Sequence, residues 1–191
     1  WWAYGSGILF PWDSVQGTIT WQYRPDTPPT VEGKSNKYLF PAGATAVLNV
    51  HSWMRDAVAV NSMPLLLVEG TKQYLAAVSA IGEAATHAVV GMAGCWGWSS
   101  NKAPSPDLQA IPVQGRTIIV AMDADIASNP KVYEAAERLS KTLTDLLGAR
   151  EVKFLRLPSS GSTGLDDLLG SFDPSERSSK TSISPSSLTA R

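Results

Sequence analysis

Leu65-Leu66-Leu67-Val68 is an unbroken apolar run held between Pro64 and Glu69-Gly70. A run this short, with no polar alternation, fits a strand covered on both faces, and such strands belong to parallel sheets with helices packed against them. Two similar runs follow. His87-Ala88-Val89-Val90 is closed by Gly91, Gly94 and Gly97, and Thr117-Ile118-Ile119-Val120-Ala121-Met122 ends at Asp123-Ala124-Asp125. Helical patterns separate them: Tyr74, Leu75, Val78 and Ile81 recur at helical spacing up to Gly82. A second helix has Asn129 as N-cap and Pro130 at its first position. Its apolar stripe runs through Val132, Ala136, Leu139, Leu143, Leu146 and Leu147 to a stop at Gly148. Residues 151–157 alternate in character, as an edge strand does. The grammar predicts an α/β fold with a mostly parallel four-stranded sheet flanked by helices.

Ahead of this core the texture is different. Trp1, Trp2, Trp12 and Trp21 crowd the front of the chain, and Gly17-Thr18-Ile19-Thr20-Trp21-Gln22-Tyr23 leads to Pro25, Pro28 and Pro29. Short β-leaning runs broken by Pro predict a small antiparallel element. Past Gly170 the chain is mostly Ser, Thr, Pro and charge, with little to bury. The expected organisation is a β-rich front element over residues 1–62, packed on the core; an α/β domain over residues 63–170; and a disordered Ser-rich tail or linker over residues 171–191.

Composition narrows the function classes. Sixteen Lys+Arg against 17 Asp+Glu leave a net charge of -1, which argues against holding nucleic acid or an anionic membrane by bulk electrostatics. A nucleic-acid role must rest on a local site. One Cys, Cys95, excludes an internal disulfide, and His51 and His87 are too few for a Cys/His zinc cluster. All three read as structural. No apolar run is long enough to span a membrane and the start lacks a signal-peptide charge, so a cytoplasmic protein is expected. The absence of an initial Met suggests a piece of a longer chain.

In an open parallel sheet, ligands bind beyond the carboxyl ends of the strands. Glu69 ends the first core strand, and Asp123 and Asp125 end the third, so three acids share that edge. Carboxylates brought together repel unless a cation lies between them, and a hard ion such as Mg²⁺ takes oxygen ligands. The alternative is that Glu69 caps a helix and the aspartates merely leave a strand.

An apolar strand ending in Glu69-Gly70, followed about fifty residues later by one ending in Asp123-Ala124-Asp125, resembles the Toprim domain of bacterial primases, topoisomerases and some nucleases. A closer likeness is to the Toprim-like domain of unknown function found in plasmid and phage replication proteins, often beside primase or helicase modules. The phrases Gly7-Ile8-Leu9-Phe10-Pro11, Lys37-Tyr38-Leu39-Phe40-Pro41 and Gly164-Leu165-Asp166-Asp167 carry it. The resemblance implies a Rossmannoid fold and primase-type nucleotidyl or phosphoryl transfer that depends on Mg²⁺ (or Mn²⁺). Glu69 would be a general acid/base, Asp123 and Asp125 would bind the ion, and Glu69 and Asp166 would complete its ligands. Gly70 would let the backbone pass close to the site. Thr71-Lys72-Gln73 departs from the pattern, because many Toprim domains carry a further acid there.

Two neighbouring features bear on nucleic acid. Lys72 is placed to meet a phosphate or offset the acids, and Trp96 and Trp98 leave the second core strand at the same edge, where indoles stack on bases. Lys72 is also an ordinary surface lysine, and the tryptophans also suit a lid packed on the sheet. The expected partner is DNA, single-stranded, with a helicase or polymerase module in the parent chain. A nuclease would use the same residues, and a non-catalytic single-stranded DNA or replication-partner binding module would use the acids structurally.

Overall fold

The computed structural model describes residues 5–44, 47–81, 86–157 and 164–171. Trp1 and Trp2, the helix stop expected at Gly82, the loop residues 159–163 and the tail beyond Ser171 lie outside the described residues.

The centre of the molecule is a four-stranded sheet of β5 (Leu65–Glu69), β6 (Ala88–Met92), β9 (Thr117–Ala121) and β10 (Glu151–Phe154) in the order β10-β9-β5-β6, every pairing parallel. Right-handed crossovers are the general rule for such units. The helices between the strands are α2 (Thr71–Ile81), α3 (Pro106–Ala110) and α4 (Pro130–Lys141), and the short α5 (Leu165–Gly170) packs on α2. The predicted α/β architecture is the observed one. β5 lies in the sheet interior, so its uninterrupted apolar run is matched by burial on both sides. Glu151 and Lys153 are exposed on β10 while Val152 and Phe154 are part-buried, as an edge strand requires.

β6 is also an edge strand by order, yet all five of its residues are buried. The reason lies in the front of the chain. Asn49 pairs antiparallel with Gly91, their amides and carbonyls exchanging bonds of 2.9 and 2.8 Å, so the open ladder of β6 is covered. Leu48, Val50 and Met54 then enter the same core as β5, β6 and β9, as does Val58 of α1 (Arg55–Ala59).

The front element is a hairpin of β1 (Gly7–Asp13) and β2 (Ile19–Pro25), followed by the two-residue strands β3 (Thr30–Val31) and β4 (Lys34–Ser35). The pair β7 (Ser99–Ser100) and β8 (Ala103–Pro104) closes the loop after β6. Trp12 is wholly buried, and its indole N–H donates to Thr71 Oγ1 at 3.2 Å, while the Thr71 hydroxyl donates to Gln22 Oε1. The hairpin is thereby bonded to the first residue of α2.

Helix periodicity holds for α4 but drifts beyond it. Val132, Ala136, Leu139 and Leu143 are buried, whereas Leu146, expected in the same stripe, is exposed. Thr142–Leu146 forms a π turn. Its wider winding carries Leu146 off the face that the 3.6-residue repeat had set. In α2, Leu75 is exposed and Gln73, Tyr74, Ala77 and Val78 face inward. A buried cation unanticipated from sequence, Arg116, is held by the carbonyls of Met63, Val58 and Ala57, the last two at 2.8 and 3.1 Å, beside the end of α1. No helix among the described residues is long and apolar enough to cross a membrane.

Candidate functional site

Glu69 is the last residue of β5, and Asp123 follows β9, its neighbour in the sheet. Parallel pairing delivers both acids to the same edge, and the Asp123 amide donates to Glu69 Oε2 at 3.3 Å. Burial pushes the Glu69 acid up from 4.5 to about 7, and the charges of Asp123 and Asp125 add to the rise. Asp123 is raised as well, first by burial and then by Asp125, Asp166 and Asp167, against the lowering effect of a hydrogen bond from Gln73.

Gly70 has φ +85°, and its amide donates to Met92 O at 2.8 Å. A Cβ there would meet only Gln73 Nε2 at 3.8 Å, so glycine is needed for the left-handed turn into α2 rather than for close approach. Asp125 lies in the first turn of a 3₁₀ segment, Ala124–Ala127, and accepts from Asn129 Nδ2 at 3.1 Å. Asn129 in turn caps α4 through the Lys131 amide at 3.2 Å, as its sequence position predicted.

Asp166, in the first turn of α5, is drawn to this edge by an ion pair of 3.1 Å with Lys72. Lys72 therefore offsets the acids. Gln73 is the residue at this edge that the sequence pattern did not single out. It is buried, its Nε2 donates to Asp123 Oδ1, and its Oε1 accepts the Leu165 amide at 2.8 Å. The available signal was a polar residue beside Tyr74 and Ala77 on the inward face of α2.

Trp96 and Trp98 have different fates. Their rings stack with centroids 6.1 Å apart, and the Arg138 guanidinium stands 5.7 Å from the Trp96 ring centre. Trp96 is 37% exposed and Trp98 only 3%. As an expected base-stacking residue, Trp98 is corrected to a core residue, because the loop folds its ring under Trp96. Its indole N–H is buried without a hydrogen-bond partner among the described residues.

Glu69, Asp123, Asp125 and Asp166, the expected Mg²⁺ or Mn²⁺ ligands, are each held by a protein donor rather than gathered as a preformed cluster. Among the described residues, no three His, Cys, Asp or Glu side chains stand close enough to hold a metal ion. The Asp123 amide holds Glu69, Gln73 holds Asp123, Asn129 holds Asp125 and Lys72 holds Asp166. The donor chemistry itself fits a hard divalent cation: oxygen only, anionic, at one strand edge, with two acids raised by burial and by their neighbours' charge.

A family model described as a domain of unknown function, DUF3854, matches residues 53–174. The chain belongs to this family. Among solved structures, this DUF3854 domain is similar to the DnaG catalytic core, with a TM-score of 0.53 and 18% identity over 91% of this chain and 51% of that one. It is similar also to the DnaG primase catalytic domain bound to ssDNA, with a TM-score of 0.55 and 18% identity over 92% of this chain and 52% of that one. The DUF3854 domain thus spans about half the length of those chains. No curated protein matches it by sequence. The likeness is one of fold: the expected α/β architecture is shared with these primase catalytic domains.

Proposed function

We propose that this DUF3854 domain is the catalytic Toprim-like module of a plasmid or phage replication protein and performs primase-type nucleotidyl or phosphoryl transfer. The observation that carries the reading is geometric: the parallel neighbours β5 and β9 bring Glu69 and Asp123 together at the carboxyl edge of the sheet, where the Asp123 amide donates to Glu69 Oε2 at 3.3 Å, with Asp125 close behind. Burial raises the Glu69 acid, which suits it to exchange a proton with a reacting hydroxyl. Asp123 and Asp125, with Asp166 and Glu69 as further oxygen donors, would hold Mg²⁺ or Mn²⁺. Such an ion, when bound, supplies charge neutralisation at a phosphate. The Asp123 amide keeps Glu69 oriented toward this edge.

The proposed nucleic-acid partner is single-stranded DNA, and the similarity to a primase domain with that ligand supports it. Trp96, exposed beside Arg138, offers an aromatic and a cation to a base and its phosphate. Lys72 stands at the same edge, where release from Asp166 would free it for phosphate, and Gly70 sets the turn that carries it. A helicase or polymerase module in the parent chain is part of the same proposal.

A second reading, a non-catalytic DNA or partner binding module, is favoured by one observation: every acid of the cluster already has a protein donor. The test is an assay with Mn²⁺, nucleotides and labelled single-stranded DNA, comparing wild type with Glu69→Gln. Extension that the mutant loses supports the primase reading, and cleavage that it loses identifies a nuclease. Silence in both, with DNA still bound, selects the binding module.

A further inference from the structure

Gln73 is buried between two partners, Asp123 and Leu165, that lie 50 and 92 residues further along the chain. Its Oε1 accepts the Leu165 amide at 2.8 Å, and its Nε2 donates to Asp123 Oδ1. A backbone N–H can only donate and an ionised carboxylate can only accept, so these partners fix the amide's orientation without ambiguity. Gly164, immediately before Leu165, makes the contact sterically possible: a Cβ there would stand 2.9 Å from Gln73 Cδ and 2.6 Å from Asp166 Oδ1. The preceding residue of α2, Lys72, pairs with Asp166 on the next position of α5. Two consecutive residues of one helix thus grip two consecutive residues of another, and Gln73 reaches Asp123 as well.

We propose that Gln73 is a positioning residue that ties the start of α5 to Asp123, so that Asp166 and Asp167 join the field of Asp123 as a unit. The inference deepens the metal-dependent reading and rests on it for the ion, but the tie itself does not. The glutamine amide accepts at Oε1 and donates from Nε2, so one neutral group meets both partners. Glutamate at this position keeps the acceptor for Leu165 and sets a second negative charge against Asp123. Methionine keeps the length and loses both bonds.

The experiment compares wild type, Gln73→Met and Gln73→Glu by amide hydrogen exchange at Leu165, without metal, and by Mn²⁺ titration. Expected is exchange at Leu165 about tenfold or more faster in Gln73→Met and near wild type in Gln73→Glu. Mn²⁺ affinity should fall about tenfold in Gln73→Met, the scale on which lost outer partners act. Gln73→Glu, still docked, should change affinity by a similar factor, since Asp123 loses its donor and gains a charged neighbour. Unchanged Leu165 exchange in Gln73→Met, or Mn²⁺ affinities of both variants within twofold of a wild type that binds, would overturn the proposal. A wild type that binds no Mn²⁺, with Leu165 responding as expected, supports the tie and removes instead the metal-dependent reading of the site.

Discussion

The Asp123 amide donates to the Glu69 carboxylate across 3.3 Å, so β5 and β9 are bonded through the residues that carry their acids. Any shift between the two strands changes the site. Conversely, the charge of Asp123 stands against Glu69 by construction, and the protein bears that repulsion as part of its fold.

The first prediction follows from its sign. Glu69 has a folded acid constant of about 7 against 4.5 for the unfolded chain, so the folded state prefers the protonated form. Its stabilising contribution is complete below about pH 4.5 and is lost as the pH rises through about 7. The rise corresponds to about 3 kcal/mol at full ionisation, an upper bound because water relaxes part of it. In metal-free protein near pH 8, Glu69→Gln should therefore be more stable than wild type by about 1–3 kcal/mol. The advantage should vanish near pH 4. Urea unfolding with a chelator at both pH values measures it, and equal stability at the higher pH would contradict it.

The two stacked tryptophans should separate in their effects. Trp96→Ala removes an exposed ring and should leave stability nearly unchanged while weakening single-stranded DNA binding by about 1–3 kcal/mol. Trp98→Ala empties a core position and should cost about 3–5 kcal/mol of stability. Thermal melts and fluorescence anisotropy on a labelled oligonucleotide distinguish them. DNA affinity untouched by Trp96→Ala would return that ring to a purely structural role.

Thr71 links the front hairpin to the site helix. Thr71→Val keeps the shape and strands two buried groups, Trp12 Nε1 and Gln22 Oε1. We expect a loss of about 2–3 kcal/mol. Amide exchange should accelerate in β1 and β2 before it does in β5. If the loss is spread evenly over the sheet, the hairpin is not anchored at this point.

The α/β class, the four strands of the sheet and the edge at which Glu69, Asp123 and Asp125 gather were all legible in the amino-acid order. Each is written in local apolarity: a strand buried on both faces must be apolar throughout, and the first polar residue after it marks the sheet's edge. The N-cap at Asn129 was legible for the same reason, since a cap acts within two residues of itself. The other relationships had no local signature. β6 is covered by Asn49, Leu165 is bonded to Gln73 and Asp166 to Lys72, pairs separated by 42, 92 and 94 positions. Leu146 leaves its stripe because a π turn intervenes, and Trp98 differs from Trp96 only in how the loop folds. Thus the sequence by itself determined the four strands of the sheet, the helices α2 and α4 and the acids at the strand ends. Only the tertiary structure decided which donor holds each acid, because hydrogen bonds between distant side chains depend on how whole elements dock rather than on any pattern within one of them.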